Sequence, residues 1–194
     1  MLATASLKGY SLEDYYKAEH PVQQEVKRVI SEFADCKPEL LAAGVDGCGV
    51  PVFALPLKRM AQSYANLCNT DFLGGRYKKS QNYVLSAMTM FPEFVAGTGR
   101  FDTVLMKRFG SRVLCKTGAE GVCCAAVLDG TIGIAIKIED GALRATPPAM
   151  LETLVQLGVL KAGEAGELGE FRNPPLIGNK GSLNGETKSV FKLT

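Results

Sequence analysis

The first clear periodicity in the chain is Val22, Val26, Val29, Ile30 and Phe33, spaced at i, i+4, i+7, i+8 and i+11. That spacing lines one face of a helix. Pro21 suits its first turn, where a backbone N–H has no intrahelical partner to lose. Leu57, Met60, Ala61, Tyr64 and Cys68 repeat the pattern in a helix opened by Pro56, and Tyr83, Val84, Ala87, Met88 and Phe91 repeat it again. Two glycine-bearing stretches interrupt it. Gly44 to Pro51, with three glycines and a proline, and Leu73 to Ser80, polar and glycine-bearing, both read as loops. A short helical stretch follows from Thr103 to Phe109.

The period then changes from near 3.6 to 2. Val113 to Lys116 and Val122 to Leu128 read as strands, and Asp129-Gly130 is a tight-turn dipeptide. Ile132, Ile134, Ile136 and Ile138 alternate with Gly133, Ala135 and Lys137. These segments predict an antiparallel meander with one buried face. Thr146-Pro147 is placed to cap and start a helix carrying Met150, Leu151, Leu154 and Val155, which Gly158 would stop. The stretch from Lys161 to Gly185 reads as irregular, and Lys188 to Leu193 as an edge strand. Helices, then a meander, then a helix predict an α+β fold, an antiparallel sheet packed with helices.

Composition narrows the function classes. The 194 residues are 46% hydrophobic and 22% charged, in the range of a soluble domain, with a net charge of +2. No run of Lys and Arg is long enough to track a phosphate backbone, so nucleic-acid binding is not expected. No apolar run approaches the roughly 18 residues of a membrane helix, so no membrane partner is expected either. Met1 leads directly into a mixed sequence with no secretory pattern. The six cysteines (Cys36, Cys48, Cys68, Cys115, Cys123 and Cys124) are therefore expected as free thiols in a reducing cytoplasm. The neighbours Cys123 and Cys124 should point to opposite faces of a strand as packing residues.

Several short motifs could carry chemistry. Lys116-Thr117-Gly118 ends a predicted strand. In penicillin-recognising enzymes a K-T-G triplet occupies such a strand beside a nucleophilic serine. A lysine fixed there supplies positive charge where an oxyanion and a substrate carboxylate gather, or relays protons if desolvated. Glu120 follows four residues later and could receive a substrate ammonium group. Cys48, in Asp46-Gly47-Cys48-Gly49, could ligate zinc or act as a nucleophile, although no second Cys or His stands at ligand spacing. His20, the one histidine, could serve Cys48 as a base, but its place before Pro21 fits a packing or capping residue better. Gly97-Thr98-Gly99-Arg100 lacks the phosphate-loop pattern and reads as a turn into the next helix, and Glu139-Asp140-Gly141 reads as a solvated turn.

The order of the motifs says more than any one of them. HPVQQEV (His20 to Val26), GVDGCGVPVFALPL (Gly44 to Leu57), the A-x-x-Y of Ala61 to Tyr64, VAGTGRFDTVLM (Val95 to Met106), KTGAEGV (Lys116 to Val122) and GIAIKIEDG (Gly133 to Gly141) resemble, in that order, the asparaginase II family. The resemblance continues through Gly181, Gly185 and Phe191 to Leu193. It implies a fold like serine β-lactamases and glutaminases, and hydrolysis of L-asparagine to L-aspartate and ammonia through Ser-Lys pairs. Some members of that family also carry a zinc near the active site, held by a Cys and a Lys of a C-S-G-K-H motif and by the Cys of the D-G-C loop, so the resemblance makes zinc possible in the full-length protein. By that resemblance Lys116 is the catalytic strand lysine, Thr117, Gly118 and Glu120 bind substrate, Cys48 is a zinc ligand and Asp46 orients it.

In that family C-S-G-K-H-A-G runs directly into M-L-A, and this chain opens on Met1-Leu2-Ala3. The resemblance therefore implies that residues 1–194 are the C-terminal portion of a single asparaginase II domain. The N-terminal S-x-x-K pair and two zinc ligands have no equivalent here. Such a chain is expected to be inactive alone, to expose sheet edges, and to act as a homodimer or with a complementing N-terminal half. The alternatives are a non-catalytic binding or regulatory module that pairs with a full-length homologue, and a thiol hydrolase built on Cys48 and His20.

Overall fold

His20 shows how the first helices are set. Its backbone is extended, and its Nδ1 accepts the N–H of Val22 at 3.2 Å, which caps α2 (Pro21–Phe33). A shorter helix, α1 (Leu2–Leu7), precedes it. In the computed structural model, which describes residues 1–130 and 132–194, the chain forms two compact units, Met1–Ser63 and Tyr64–Thr194.

In the first unit Lys8 and Tyr10 both donate to the Glu25 carboxylate on α2. A 3-10 turn (Pro38–Leu40) then leads to two short antiparallel strands, β1 (Ala42–Val45) and β2 (Pro51–Ala54), paired from Ala42↔Ala54 to Val45↔Pro51. The glycine-rich stretch expected as one loop is thus the end of a hairpin. Gly44, Val45 and Pro51 are strand residues, and only 46–50 turn. Gly44 pairs with Val52 across the hairpin. Helix α3 (Leu57–Cys68) contains the boundary between the units. Pro56 caps this helix from outside, accepting the N–H groups of Arg59 and Met60.

The second unit holds a three-stranded antiparallel sheet in the order β3 (Val113–Thr117), β4 (Val122–Val127), β5 (Gly133–Lys137). The meander is the expected one. Around it lie α4 (Lys78–Met90), α5 (Pro92–Ala96), α6 (Phe101–Phe109) and α7 (Thr146–Gln156). Leu105, Met106 and Phe109 of α6 pack with Val113, Leu114 and Cys115 of β3, with Ala125 and Ala126 of β4, and with Met150, Leu151 and Leu154 of α7. One buried face was expected, but β4 is buried on both. Cys123 and Ala125 point one way and Cys124 and Ala126 the other, and all four are buried. Small side chains make this possible, because they leave room for close neighbours on each side.

Several expectations are corrected. Helix α4 starts at Lys78, inside the stretch read as a loop, because polar Gln81 is a core residue there. Its Nε2 donates to the carbonyls of Asn66, Leu67 and Asn69, groups that the end of α3 leaves without helical partners. Thr146 does not cap α7. Its Oγ1 donates back to Leu143 O at 2.9 Å, and it is the first helical residue. Gly158 ends that helix as expected, with φ +71°. The stretch read as irregular contains α8 (Ala162–Gly166), α9 (Gly169–Arg172) and a hairpin of β6 (Pro175–Ile177) with β7 (Leu183–Glu186).

The expected edge strand at 188–193 is not a strand. Gln156 Nε2 donates to Phe191 O at 2.9 Å, and the N–H of Leu193 donates to Gln156 Oε1 at 2.7 Å. One side-chain amide thus takes the two backbone groups that a neighbouring strand would have paired. Among the described residues, no helix is long and apolar enough to cross a membrane. The architecture is α+β, as the patterning predicts.

Candidate active site at the end of strand β3

Residues 116–120 lie together where β3 turns into β4. The register sets Lys116 opposite Cys124 and Thr117 opposite Cys123, so the two side chains leave opposite faces of the sheet. Thr117 faces the side from which α6 approaches. There Asp102, in the first turn of α6 and only 2% exposed, accepts the Thr117 N–H at 2.7 Å through Oδ2 and the Thr117 hydroxyl through Oδ1. A carboxylate this buried is costly unless both oxygens are engaged. The start of a helix also favours negative charge at its position. Lys116 Nζ lies 4.0 Å from the same Oδ2 and donates to Thr117 O. The lysine is 42% exposed, so it is held by a buried group yet open to solvent.

The turn beyond is tightly fixed. Gly118 N–H donates to Val122 O at 2.8 Å, and Ile138 N–H donates to Gly121 O at 2.9 Å. Gly121 has φ +70°, and a Cβ there would lie 2.8 Å from Ile138 Cβ and 3.0 Å from Gly141 C. Only glycine fits that close approach. Glu120 also has a positive φ, 53°, and its side chain is exposed at the turn. Lys137 Nζ donates to the Glu120 carbonyl at 2.6 Å, which ties the turn to the end of β5.

A cavity of about 300 Å³ opens beside this strand end, lined in part by Arg100, Asp102, Thr117 and Arg144. Of the four residues expected at this strand end, Thr117 lines the cavity, and Lys116, Gly118 and Glu120 are its neighbours along the chain. Asp102 was missed. It lies inside the Val95–Met106 motif, but an acid in a helix's first turn reads as a surface charge for the dipole. Nothing local marks it as buried.

Cys48 and Asp46 belong to the other unit, at the tip of the β1–β2 hairpin. Asp46 N–H donates to Val50 O, Gly49 N–H donates to Asp46 O, and the Cys48 thiol donates to Asp46 Oδ2 at 3.3 Å. The pair offers two donors, where a zinc site needs three or four. Among the described residues, no group of three or more His, Cys, Asp and Glu is placed to hold a metal ion. His20 is not available to Cys48 as a base. Val22 N–H points at its Nδ1, so the proton sits on Nε2, which donates to Ser11 O at 3.0 Å. Both nitrogens are taken by backbone, and His20 is the capping residue that its position suggests.

One further motif lies in the tail, where Ser189-Val190-Phe191-Lys192 has S-x-x-K spacing. That spacing pairs the two side chains only on a helix, where i and i+3 share a face. These residues are in no helix, and Val190 between them is 94% exposed.

The family model described as L-asparaginase II matches residues 1–189, almost the whole chain. The chain belongs to the L-asparaginase II family. No curated protein matches it. In this L-asparaginase II chain the matched region contains both the Lys116–Glu120 turn and Asp102, the buried carboxylate that anchors it. Cys48 and Asp46 lie within the same match.

Proposed function

We propose that this chain supplies the strand lysine and substrate-side turn of an amidohydrolase that converts L-asparagine to L-aspartate and ammonia. The observation that carries the reading is the anchoring of Lys-Thr-Gly at the end of β3 by Asp102, in a chain whose family match spans residues 1–189. A lysine held at a strand end suits a reaction that develops negative charge on a carbonyl oxygen. Lys116 is the group proposed to stabilise that charge or to exchange a proton with the nucleophile. Thr117, Gly118 and Glu120 are proposed to position the substrate.

The nucleophile is proposed to be the serine of a Ser-Lys pair outside these 194 residues, because Ser189 and Lys192, the S-x-x-K tetrad of the tail, are not helical. The chain alone is then inactive and works with a complementing N-terminal segment. Cys48, oriented by Asp46, is proposed as one ligand of a zinc completed by that segment. A reducing cytoplasm fits the cysteines, all six of which are free.

The test is ammonia release from L-asparagine by the purified chain, alone and mixed with a segment carrying S-x-x-K and C-S-G-K-H. Activity only in the mixture, abolished by Lys116→Ala, is the expected result. Activity of the chain alone that survives Lys116→Ala would refute the assignment.

A further inference from the structure

The cavity beside Thr117 has a charge pattern that the proposed catalytic role of Lys116 does not use. Arg100, just before α6, and Arg144, two residues before α7, both line it. Phe101 and Phe171, whose ring centroids are 5.5 Å apart, form part of its apolar wall.

The charges on the wall are not equally engaged. Asp102 lines the cavity too, but both its oxygens accept from Thr117, and Lys116 Nζ is 4.0 Å away, so its charge is answered within the protein. Arg144 pairs with Asp140 at 3.4 Å, with both side chains more than half exposed. Such a pair is weak and readily gives up its guanidinium to a better partner. The Arg100 side chain has no hydrogen-bond or ion-pair partner among the described residues. Two available cations therefore face a space of about 300 Å³. That is the lower end of ligand pockets, suited to a molecule of amino-acid size.

The geometry points to this cavity as a carboxylate subsite for a small amino acid or dicarboxylate, with Arg100 and Arg144 as its two clamps. A guanidinium presents paired N–H groups that match the two oxygens of a carboxylate, which a lone ammonium cannot do. The inference rests on the amidohydrolase reading for the identity of the ligand. It adds the means of recognition: the substrate's carboxylate would dock beside Thr117, one residue from Lys116.

The experiment is calorimetric titration of the full chain with L-aspartate and, separately, with succinate. Binding is expected, weakened at least about tenfold by Arg100→Gln and by Arg144→Gln, and lost in the double variant. Arg108→Gln, which removes a surface pair with Glu167, should bind like the parent. Both tested arginines are exposed, and a thermal melt of each variant checks that folding is intact. No binding of either ligand, or binding unmoved by either arginine change in folded variants, overturns the subsite. The two readings fail separately. Arginine-dependent succinate binding in a chain that never releases ammonia from asparagine, alone or complemented, keeps the subsite and removes the asparaginase. Ammonia release with a KM indifferent to both arginines does the reverse.

Discussion

Asp102 does at the residue scale what no surface ion pair here can do. Removing its carboxylate leaves the Thr117 N–H and hydroxyl without that acceptor. Asp102→Ala should therefore destabilise the protein by about 1–3 kcal/mol, read as a lower urea midpoint. Thr117→Val, which keeps the N–H bond, should cost less. The cysteines sort as sharply by environment. Burial pushes the Cys68 thiol up to about 11 and the Cys124 thiol up to about 12. The hydrogen bond with Cys123, together with burial, raises Cys115 well above 9.0. Because the thiolate is the reactive form, these groups should be inert in the native protein. Labelling with a thiol reagent at pH 8 should modify exposed Cys48 first and half-buried Cys36 next, and the four buried cysteines only after denaturation. Rapid labelling of Cys68 or Cys124 under native conditions would contradict the structure.

Gln156 shows how much one element can depend on a single side chain. It stands at the last position of α7 and holds both Phe191 and Leu193 of the tail by their backbones. Gln156→Ala should leave the helix and its buried face intact. It should sharply raise hydrogen exchange at the Leu193 amide, measured against the amides of β4 as internal reference. An unchanged Leu193 rate would mean that the tail is held by something else. The amphipathic helices and the meander were legible in the sequence because their periods, 3.6 and 2, are properties of the chain alone. The early start of α4 was not, because its reason is Gln81 satisfying carbonyls on another helix. The tail was misread for a related cause: a strand needs a neighbouring backbone, and here a side chain supplies the bonds.

At the scale of the whole molecule the acidic limit of stability can be worked out from the paired carboxylates. The side-chain hydrogen bond from Arg112 lowers the pKa of Glu164 below its ordinary value of 4.5, and the bond from Lys8 does the same to Glu25, with Tyr10 second. A lowered folded-state value means that the unfolded chain binds protons first as pH falls. The stability these pairs contribute is complete above the ordinary value and is lost as pH drops through the folded values. Thermal melts from pH 7 down to pH 3 should show Tm falling below about 4.5. Glu164→Gln, which cannot titrate, should flatten part of that fall. A Tm that rises toward pH 3, or a slope unaffected by Glu164→Gln, would show that these pairs do not set the limit.

The sequence by itself determined the class of fold, the helix faces, the three-stranded order and the presence of a lysine at a strand end. Each of these follows from the spacing of side chains along one stretch of chain. It also carried the family resemblance, because ordered motifs persist in a linear string. Only the tertiary structure decided that Asp102 is buried against Thr117, that β4 is covered on both faces, and that His20 spends both ring nitrogens on backbone. It alone decided that Arg100 and Arg144 share a cavity. Burial, hydrogen-bond partners and converging charge belong to pairs of residues far apart in sequence, and no periodicity along the chain encodes which distant partner a polar side chain will meet.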